Sequence, residues 1–167
     1  HRVDRRQRQM CIRDSMRIIC FLMLCLSYSF SYSQETHTYR ELYIESFDKE
    51  DACNSLNTIL EDNIKTNNNI ENAYLGVSYI MKSKYKFNPI SKLYLFSKGK
   101  EILERSIKEE PSNLELKFLR LSIQQNIPEI LAYNQNIEED QKFINNNINK
   151  NKDGALKKLI KSTLKTF

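Results

Sequence analysis

Apolar residues recur three and four positions apart along most of the chain beyond residue 38, and few segments alternate strictly between apolar and polar residues. This spacing predicts amphipathic helices, because residues three and four apart lie on one face of a helix. Successive apolar stripes begin at Tyr39, Ala52, Ile70, Leu93, Leu116, Ile137 and Leu156. The pattern therefore predicts an all-α fold.

Asparagine and proline mark the boundaries between these stripes. The run 67–69 is three asparagines, which break the second stripe and can cap the third. Asn88 suits an N-cap and Pro89 the first helical position, where its missing N–H is not needed. Pro111 is expected to end the fourth helix, and Pro128 to open a short separate segment.

Asn136 is followed three residues later by Glu139, a spacing that predicts a capping pair at the start of a helix. The run Glu138-Glu139-Asp140 could also hold a cation. Because acidic residues in a first turn already complement the helix dipole, we favour the structural interpretation.

Residues 1–15 differ in composition from the rest, since they hold five of the nine arginines and none of the seventeen lysines. They resemble translated adaptor sequence, and Met16 follows as a start codon. We expect this leader to be foreign to the gene; the alternative is a basic arm for nucleic acid.

Residues 16–33 have the order of a secretory signal peptide. Arg17 supplies the positive charge and residues 18–26 (IICFLMLCL) are a continuous apolar run. That run is shorter than the roughly 20 residues that cross a bilayer. Small residues at Ser31 and Ser33 predict cleavage near Ser33, with an uncleaved membrane anchor as the alternative. Residues 34–167 are then one helical domain in the periplasm or secreted.

The charge of +5 for the whole chain comes mainly from the leader. Residues 34–167 hold seventeen lysines and three arginines against nineteen acidic residues, so this part is almost neutral. A basic surface for nucleic acid is therefore not expected. Residues 150–167 alone carry six lysines and one aspartate.

Few residues in the predicted domain suit catalysis or metal binding. Cys53 is its one cysteine and His37 its one histidine, so a disulfide or a His/Cys metal site is not expected. Cys53 lies in an apolar stripe, which favours a core residue over a nucleophile. No glycine-rich phosphate loop or nucleophile elbow is present. We expect no catalytic, cofactor-binding or metal residues, and a hydrolytic enzyme is only a residual alternative.

One segment resembles a tetratricopeptide repeat. Leu75-Gly76 followed by Tyr79 is similar to the first helix of that repeat, and its second helix is matched by Gly99, Leu103, Ser106 and Pro111. The resemblance spans about sixty residues, from Asn69 to Gln125. It implies stacked helical hairpins, a short α-α superhelix. Tyr79 and Gly99 are further apart than the repeat allows, so residues 87–96 are predicted to be an insertion.

Three further stretches, FNPISKL, PSNLELKFLRLSIQQNIP and AYNQNIEED, are similar to a family of uncharacterised exported helical proteins of Gram-negative bacteria. The resemblance implies export and a helical fold. It implies no activity, cofactor or catalytic residue.

Arg120 is the most informative charge, because it lies beside the apolar residues Leu116 and Ile123. An unpaired guanidinium there would be costly, so we expect a buried pair with a carboxylate such as Asp140 or Glu104. The alternative is a concave groove for a peptide. Its candidate lining residues are Tyr79, Phe87, Tyr94, Arg120, Tyr133 and Asn134.

Two functions follow from these features. The preferred one is a non-enzymatic interaction or scaffold module that binds a protein or peptide segment. The alternative is an envelope protein that touches the membrane through its basic C-terminal helix, with Lys157, Lys158, Lys161 and Lys165 facing lipid. The same helix has an apolar face of Leu156, Leu159, Ile160 and Leu164, which could instead cap the end of the helical stack. We expect capping.

Overall fold

The computed structural model describes residues 38–62 and 68–164. The predicted foreign leader (1–15), the predicted signal peptide (16–33) and its cleavage site lie outside the described residues, as do His37 and Lys165.

The described residues are helical, without strands, as the sequence predicts. The helices are α1 (38–45), α2 (Glu50–Asp62), α3 (Asn69–Lys84), α4 (Pro89–Glu109), α5 (Leu114–Asn126), α6 (Ile137–Asn147) and α7 (Gly154–Thr163). A short 3-10 helix, Glu129–Leu131, follows α5. None of the described helices is long and apolar enough to cross a membrane.

Asparagine side chains cap the starts of three of these helices, two of them at positions that the sequence predicts. The Asn68 side chain accepts a hydrogen bond from the Ile70 N–H, and the Asn88 side chain does so from Ile90. Asn113 caps α5 in the same way. Each side chain satisfies a backbone donor that has no partner inside the helix.

The capping pair predicted at Asn136 and Glu139 is wrong. Asn136 precedes α6, but its side chain makes no capping hydrogen bond, and its φ of −109° and ψ of 5° are not those of an extended cap. Glu139 has another partner, because the Lys117 Nζ lies 3.1 Å from its Oε1. The acidic first turn of α6 remains at the positive end of the helix dipole.

Residues 87–96, the insertion that the repeat resemblance implies, lie in the turn between α3 and α4 and in the first two turns of α4. The turn ends at Asn88, and α4 then continues without interruption to Glu109. α3 has 16 residues and α4 has 21.

Two helices lie at the centre of the fold. α3 packs against α2, α4 and α5, while α5 packs against α3, α4, α6 and α7. Every residue from Leu114 to Gln124 is buried, so α5 has no solvent-facing side over that length. The buried apolar side chains of all seven helices form one core.

The C-terminal helix contributes its apolar face to this core. Leu156, Leu159, Ile160 and Leu164 are buried, while Lys158 and Lys161 are exposed. This arrangement agrees with the expected capping role, since the side chains that would enter lipid are already covered by protein.

Candidate functional site

Arg120 pairs with the two carboxylates that the sequence predicts, buried Asp140 and half-buried Glu104. Its Nε and Nη2 donate to the two carboxylate oxygens of Asp140 at 2.6 and 2.7 Å, and its Nη1 donates to Glu104 at 3.0 Å. The Asp140 side chain is fully buried. Burial alone would lower the pKa of Arg120, but the hydrogen bonds and charge of Asp140 and Glu104 hold it above its ordinary value. Arg120 therefore ties α5 to α6 and α4.

Tyr133 belongs to the same buried cluster. Its hydroxyl donates to Glu104, and its ring makes an edge contact with Phe96. The Nζ of Lys100 lies 4.6 Å from the ring centroid, a cation–π contact. Burial and the hydrogen bond to Glu104 raise the pKa of Tyr133, so the phenol stays protonated. The cluster is a structural junction with every polar group partnered.

A second cluster of the same kind lies around Arg40. Its Nε and Nη2 donate to Glu115 at 2.7 and 2.6 Å, and its Nη1 lies 2.9 Å from Asp153, the residue that caps α7. The Tyr74 hydroxyl donates to Glu115 at 2.7 Å. No pattern in the sequence marks this cluster, because a lone arginine in a short amphipathic helix gives no sign of a buried partner.

Tyr79 lies apart from both arginine clusters. It is buried, its hydroxyl donates to Glu61, and the Lys98 Nζ donates to the hydroxyl oxygen at 2.7 Å. Burial and the hydrogen bond to Glu61 raise the pKa of this phenol. Tyr79 thus joins the α3–α4 hairpin to α2.

The three other predicted groove residues are exposed. Phe87 lies in the α3–α4 turn, Tyr94 on α4 and Asn134 after the 3-10 helix. The structure therefore brings Arg120 and Tyr133 together through Glu104, but it does not assemble the six predicted residues into one groove.

An apolar groove does exist, and it is lined by other residues. It has a volume of about 590 Å³ and lies between the α3–α4 hairpin, the α1–α2 turn and the segment after α5. Its apolar lining consists of Phe47, Ile80, Met81, Pro89, Leu93, Phe96, Ile123, Ile127, Pro128, Ile130 and Leu131. The charged lining residues, Asp48, Lys84 and Lys92, are exposed and thus stand at its mouth.

A second cavity of about 440 Å³ adjoins this groove. Leu93, Phe96, Ile130 and Leu131 line both cavities. Beyond these shared residues the second cavity is more polar, with Lys100, Glu101 and Glu104 in its lining. The two cavities flank one apolar ridge formed by α4 and the 3-10 helix.

Several exposed apolar side chains lie on the elements that form this ridge or on the turn before α4. Of the seven large hydrophobic residues that are exposed in the described chain, Leu93 and Ile130 line both cavities, and Phe87, Ile90 and Tyr94 lie in the α3–α4 turn and the first two turns of α4. Phe87 is fully exposed, and Ile130 is 90% exposed. Isolated exposed apolar residues are ordinary, but a cluster beside a groove is typical of an interaction site.

The backbone at the end of the 3-10 helix is unusual. Ala132 has a φ of 46°, the one positive value among the described non-glycine residues. The Gln135 side chain donates to the Ala132 carbonyl at 2.6 Å and so supports this turn. The left-handed conformation reverses the chain between exposed Ile130, on the ridge, and buried Tyr133.

No group of three or more His, Cys, Asp or Glu side chains among the described residues could hold a metal ion. Cys53 is buried and its Sγ donates to the Ser78 carbonyl. Burial raises the pKa of the Cys53 thiol to about 11, which agrees with a core residue.

Comparisons with known proteins found no match among protein-family models, curated proteins or solved structures.

Proposed function

We propose that this protein is an exported helical interaction module whose groove binds an apolar segment of another protein. The observation that carries the proposal is the 590 Å³ groove, whose lining includes the exposed apolar side chains of Leu93 and Ile130. A cavity of about 150 Å³ already holds a benzene ring. The groove therefore has room for several large apolar side chains of a partner.

The lining favours binding over catalysis. Its charged residues, Asp48, Lys84 and Lys92, are exposed side chains at the mouth, whereas its inner surface includes buried Ile80, Phe96 and Ile123. When a partner buries apolar area on such a surface, the complex is stabilised by roughly 25 cal/mol per Å². This chemistry suits a protein segment with apolar side chains.

The resemblance to a tetratricopeptide hairpin is part of this proposal. It is supported by the close crossing of α3 and α4 at Gly76 and Gly99, and by the Asn113 cap that follows Pro111. The groove lies toward the end of this hairpin where α3 passes into α4. Residues 89–96, the first two turns of α4, supply part of its wall.

Export to the periplasm rests on residues 16–33 of the sequence. Mass spectrometry of the protein expressed from Met16 in a Gram-negative host tests it. We expect a mature chain that begins near Gln34. A chain that still contains residues 16–33 would favour an uncleaved membrane anchor instead.

The membrane alternative has less support. Lipid contact through α7 would use Leu156, Leu159 and Ile160, yet these side chains are buried in the protein core. Docking on lipid would have to expose the core again. The exposed lysines Lys158 and Lys161 could touch an anionic surface without insertion, but each contributes only about 1 kcal/mol.

Site-specific photo-crosslinking tests the groove. A photoreactive phenylalanine analogue is placed at Leu93, in the groove wall, and as a control at Ile59, an exposed apolar position on α2. Both proteins are irradiated in envelope extracts, and cross-linked peptides are identified by mass spectrometry. The proposal expects one protein segment cross-linked from Leu93 but not from Ile59. That segment, made as a peptide, should bind the wild-type chain and lose at least tenfold in affinity for Leu93→Ser. Equal cross-linking from both positions, or equal binding to both proteins, would contradict the groove as the binding site.

A further inference from the structure

The part of the chain from the first turn of α3 to the middle of α4 has an unusual charge distribution. Residues 72–100 contain six lysines and no aspartate or glutamate, although residues 34–167 as a whole are almost neutral. Two of these lysines have internal partners: Lys82 donates to Asn57 at 2.8 Å and Lys98 to Tyr79 at 2.7 Å. Lys100 lies over the Tyr133 ring, Lys86 lies in the α3–α4 turn, and Lys84 and Lys92 line the groove.

Lys84 and Lys92 lie at the mouth of the groove. The Lys84 Nζ donates to the backbone carbonyl of Phe47 at 2.7 Å, a neutral acceptor, and lies 5.6 Å from the centroid of the Tyr85 ring. Lys92 is exposed on α4, one residue before Leu93 of the groove wall. The one carboxylate in the groove lining is Asp48. The mouth is therefore positively charged around an apolar interior.

The groove walls also restrict the backbone of a partner. The lining comes from the ends of α3, α4 and α5, the α1–α2 turn and the segment 127–131, and it contains no strand. A partner segment that enters this apolar space finds no strand edge to pair with. Its own backbone groups must then be satisfied internally, since an unpaired buried peptide group is costly. A helix meets this requirement, and it presents apolar side chains three and four residues apart.

We infer that the partner segment is an amphipathic helix with acidic residues flanking its apolar face. This inference rests on the proposed function, because it specifies the ligand of the same groove. The apolar face of the helix packs on Phe96, Ile123 and Leu131, and its carboxylates face Lys84 and Lys92. A second copy of this chain fits less well, because the same lysine-rich face would meet lysines.

Peptide display tests the inference without a known partner. A random library of about 20-residue peptides, long enough to form a helix on binding, is selected on the immobilised full chain. Binders that fail to bind Leu93→Ser are sequenced. Their affinities are then measured by fluorescence anisotropy against wild type, Lys92→Glu and Lys108→Glu. Lys108 is an exposed lysine at the other end of α4, so it is a matched control.

The inference expects groove-dependent binders enriched in Asp and Glu beside an i, i+3, i+7 apolar pattern. Lys92→Glu should weaken them by about three- to tenfold, and Lys108→Glu by less than about twofold, because exposed charge pairs act at short range. A higher salt concentration should reduce the difference in peptide affinity between wild type and Lys92→Glu. Circular dichroism melts of each variant verify that it is folded.

Two outcomes are informative: one would contradict the inference about the acidic helix, and the other would also contradict the proposed function. If binders depend on Leu93 but lack acidic residues, or bind Lys92→Glu as tightly as wild type, the inference fails and the proposed groove function stands. If no peptide depends on Leu93, the proposed function fails as well. In that case, binding to phosphatidylglycerol vesicles tests whether the basic, apolar end of the hairpin contacts a membrane. If the Phe87→Ser variant binds these vesicles more weakly than wild type, this surface is assigned to lipid binding.

Discussion

The backbones of Gly76 in α3 and Gly99 in α4 meet directly at the crossing of the two helices. A Cβ added to Gly99 would lie 2.3 Å from the Gly76 carbonyl oxygen, and one added to Gly76 would lie 2.7 Å from the Gly99 carbonyl oxygen. Neither approach leaves room for a methyl group. The pair sets the spacing of the hairpin, and the groove wall formed by Ile80 and Phe96 depends on that spacing.

Gly99→Ala is therefore expected to destabilise the fold. The new methyl group meets backbone atoms of α3, which cannot rotate away, so the hairpin must separate. We expect a loss of about 2 to 3 kcal/mol in the free energy of unfolding, despite the better helix propensity of alanine. Chemical denaturation monitored by circular dichroism measures it.

Gly154→Ala is the control for this prediction. A Cβ added to Gly154, at the start of α7, has no neighbour within 4 Å. We expect this variant to be as stable as wild type or slightly more stable. Equal stabilities for the two variants would show that the Gly76–Gly99 contact does not limit the packing of the hairpin.

Arg120→Ala is expected to cost on the order of 3 kcal/mol of stability, because it leaves the buried carboxylate of Asp140 without its main partner. Arg105→Ala is the control, since Arg105 is an exposed arginine on α4. Thermal melts of both variants test the difference. An Arg120→Ala protein with an unchanged melting temperature and lost partner binding would assign Arg120 to recognition instead of structure.

Cys53 is expected to resist alkylation in the folded protein. Its thiol is buried, and its pKa of about 11 leaves only a trace of thiolate at pH 8. Because reactivity follows the thiolate, the rate should rise as the pH approaches the pKa. Peptide mapping after iodoacetamide treatment distinguishes Cys53 from the cysteines at positions 11, 20 and 25. Labelling of Cys53 at pH 8 as fast as in denaturant would contradict its burial.

Local signals in the sequence were sufficient for most of the fold. Asn88 with Pro89, and Asn113 after Pro111, mark helix starts because capping depends on residues within one turn. Asn136 has the same local signal and still fails as a cap. The predicted partner of Asn136, Glu139, has its larger interaction with Lys117, a residue distant in sequence.

Tertiary context explains what the sequence could not predict. Charged residues Glu115, Lys117 and Arg120 make α5 look like a surface helix, but each is paired with a side chain from another element. Of these pairs, only that of Arg120 was foreseen, because it lies between apolar neighbours. The sequence does not predict that Leu93 and Ile130 line a groove, since an apolar residue in or near a helical stripe is normally expected in the core.

Removal of α7 distinguishes its role as a cap from a role in lipid binding. A chain that ends at Asn151 lacks the four buried side chains Leu156, Leu159, Ile160 and Leu164, and it lacks Asp153, whose carboxylate lies 2.9 Å from Arg40. Each large apolar side chain contributes roughly 1.5 to 3 kcal/mol when buried, so their combined loss approaches the whole stability of a typical domain. We expect this chain to be largely unfolded at 25 °C by circular dichroism.

Two point variants show which face of α7 contributes to stability. Leu159→Ala removes a buried side chain and should cost about 2 to 4 kcal/mol, whereas Lys158→Ala changes an exposed residue and should leave the melting temperature within about 1 °C of wild type. Flotation with phosphatidylglycerol vesicles is measured on the same proteins. If α7 is a cap, Leu159→Ala lowers the melting temperature and Lys158→Ala changes neither property. If α7 instead docks on lipid, Leu159→Ala melts like wild type and both variants bind vesicles less tightly, which would contradict the packing of Leu159 in the core.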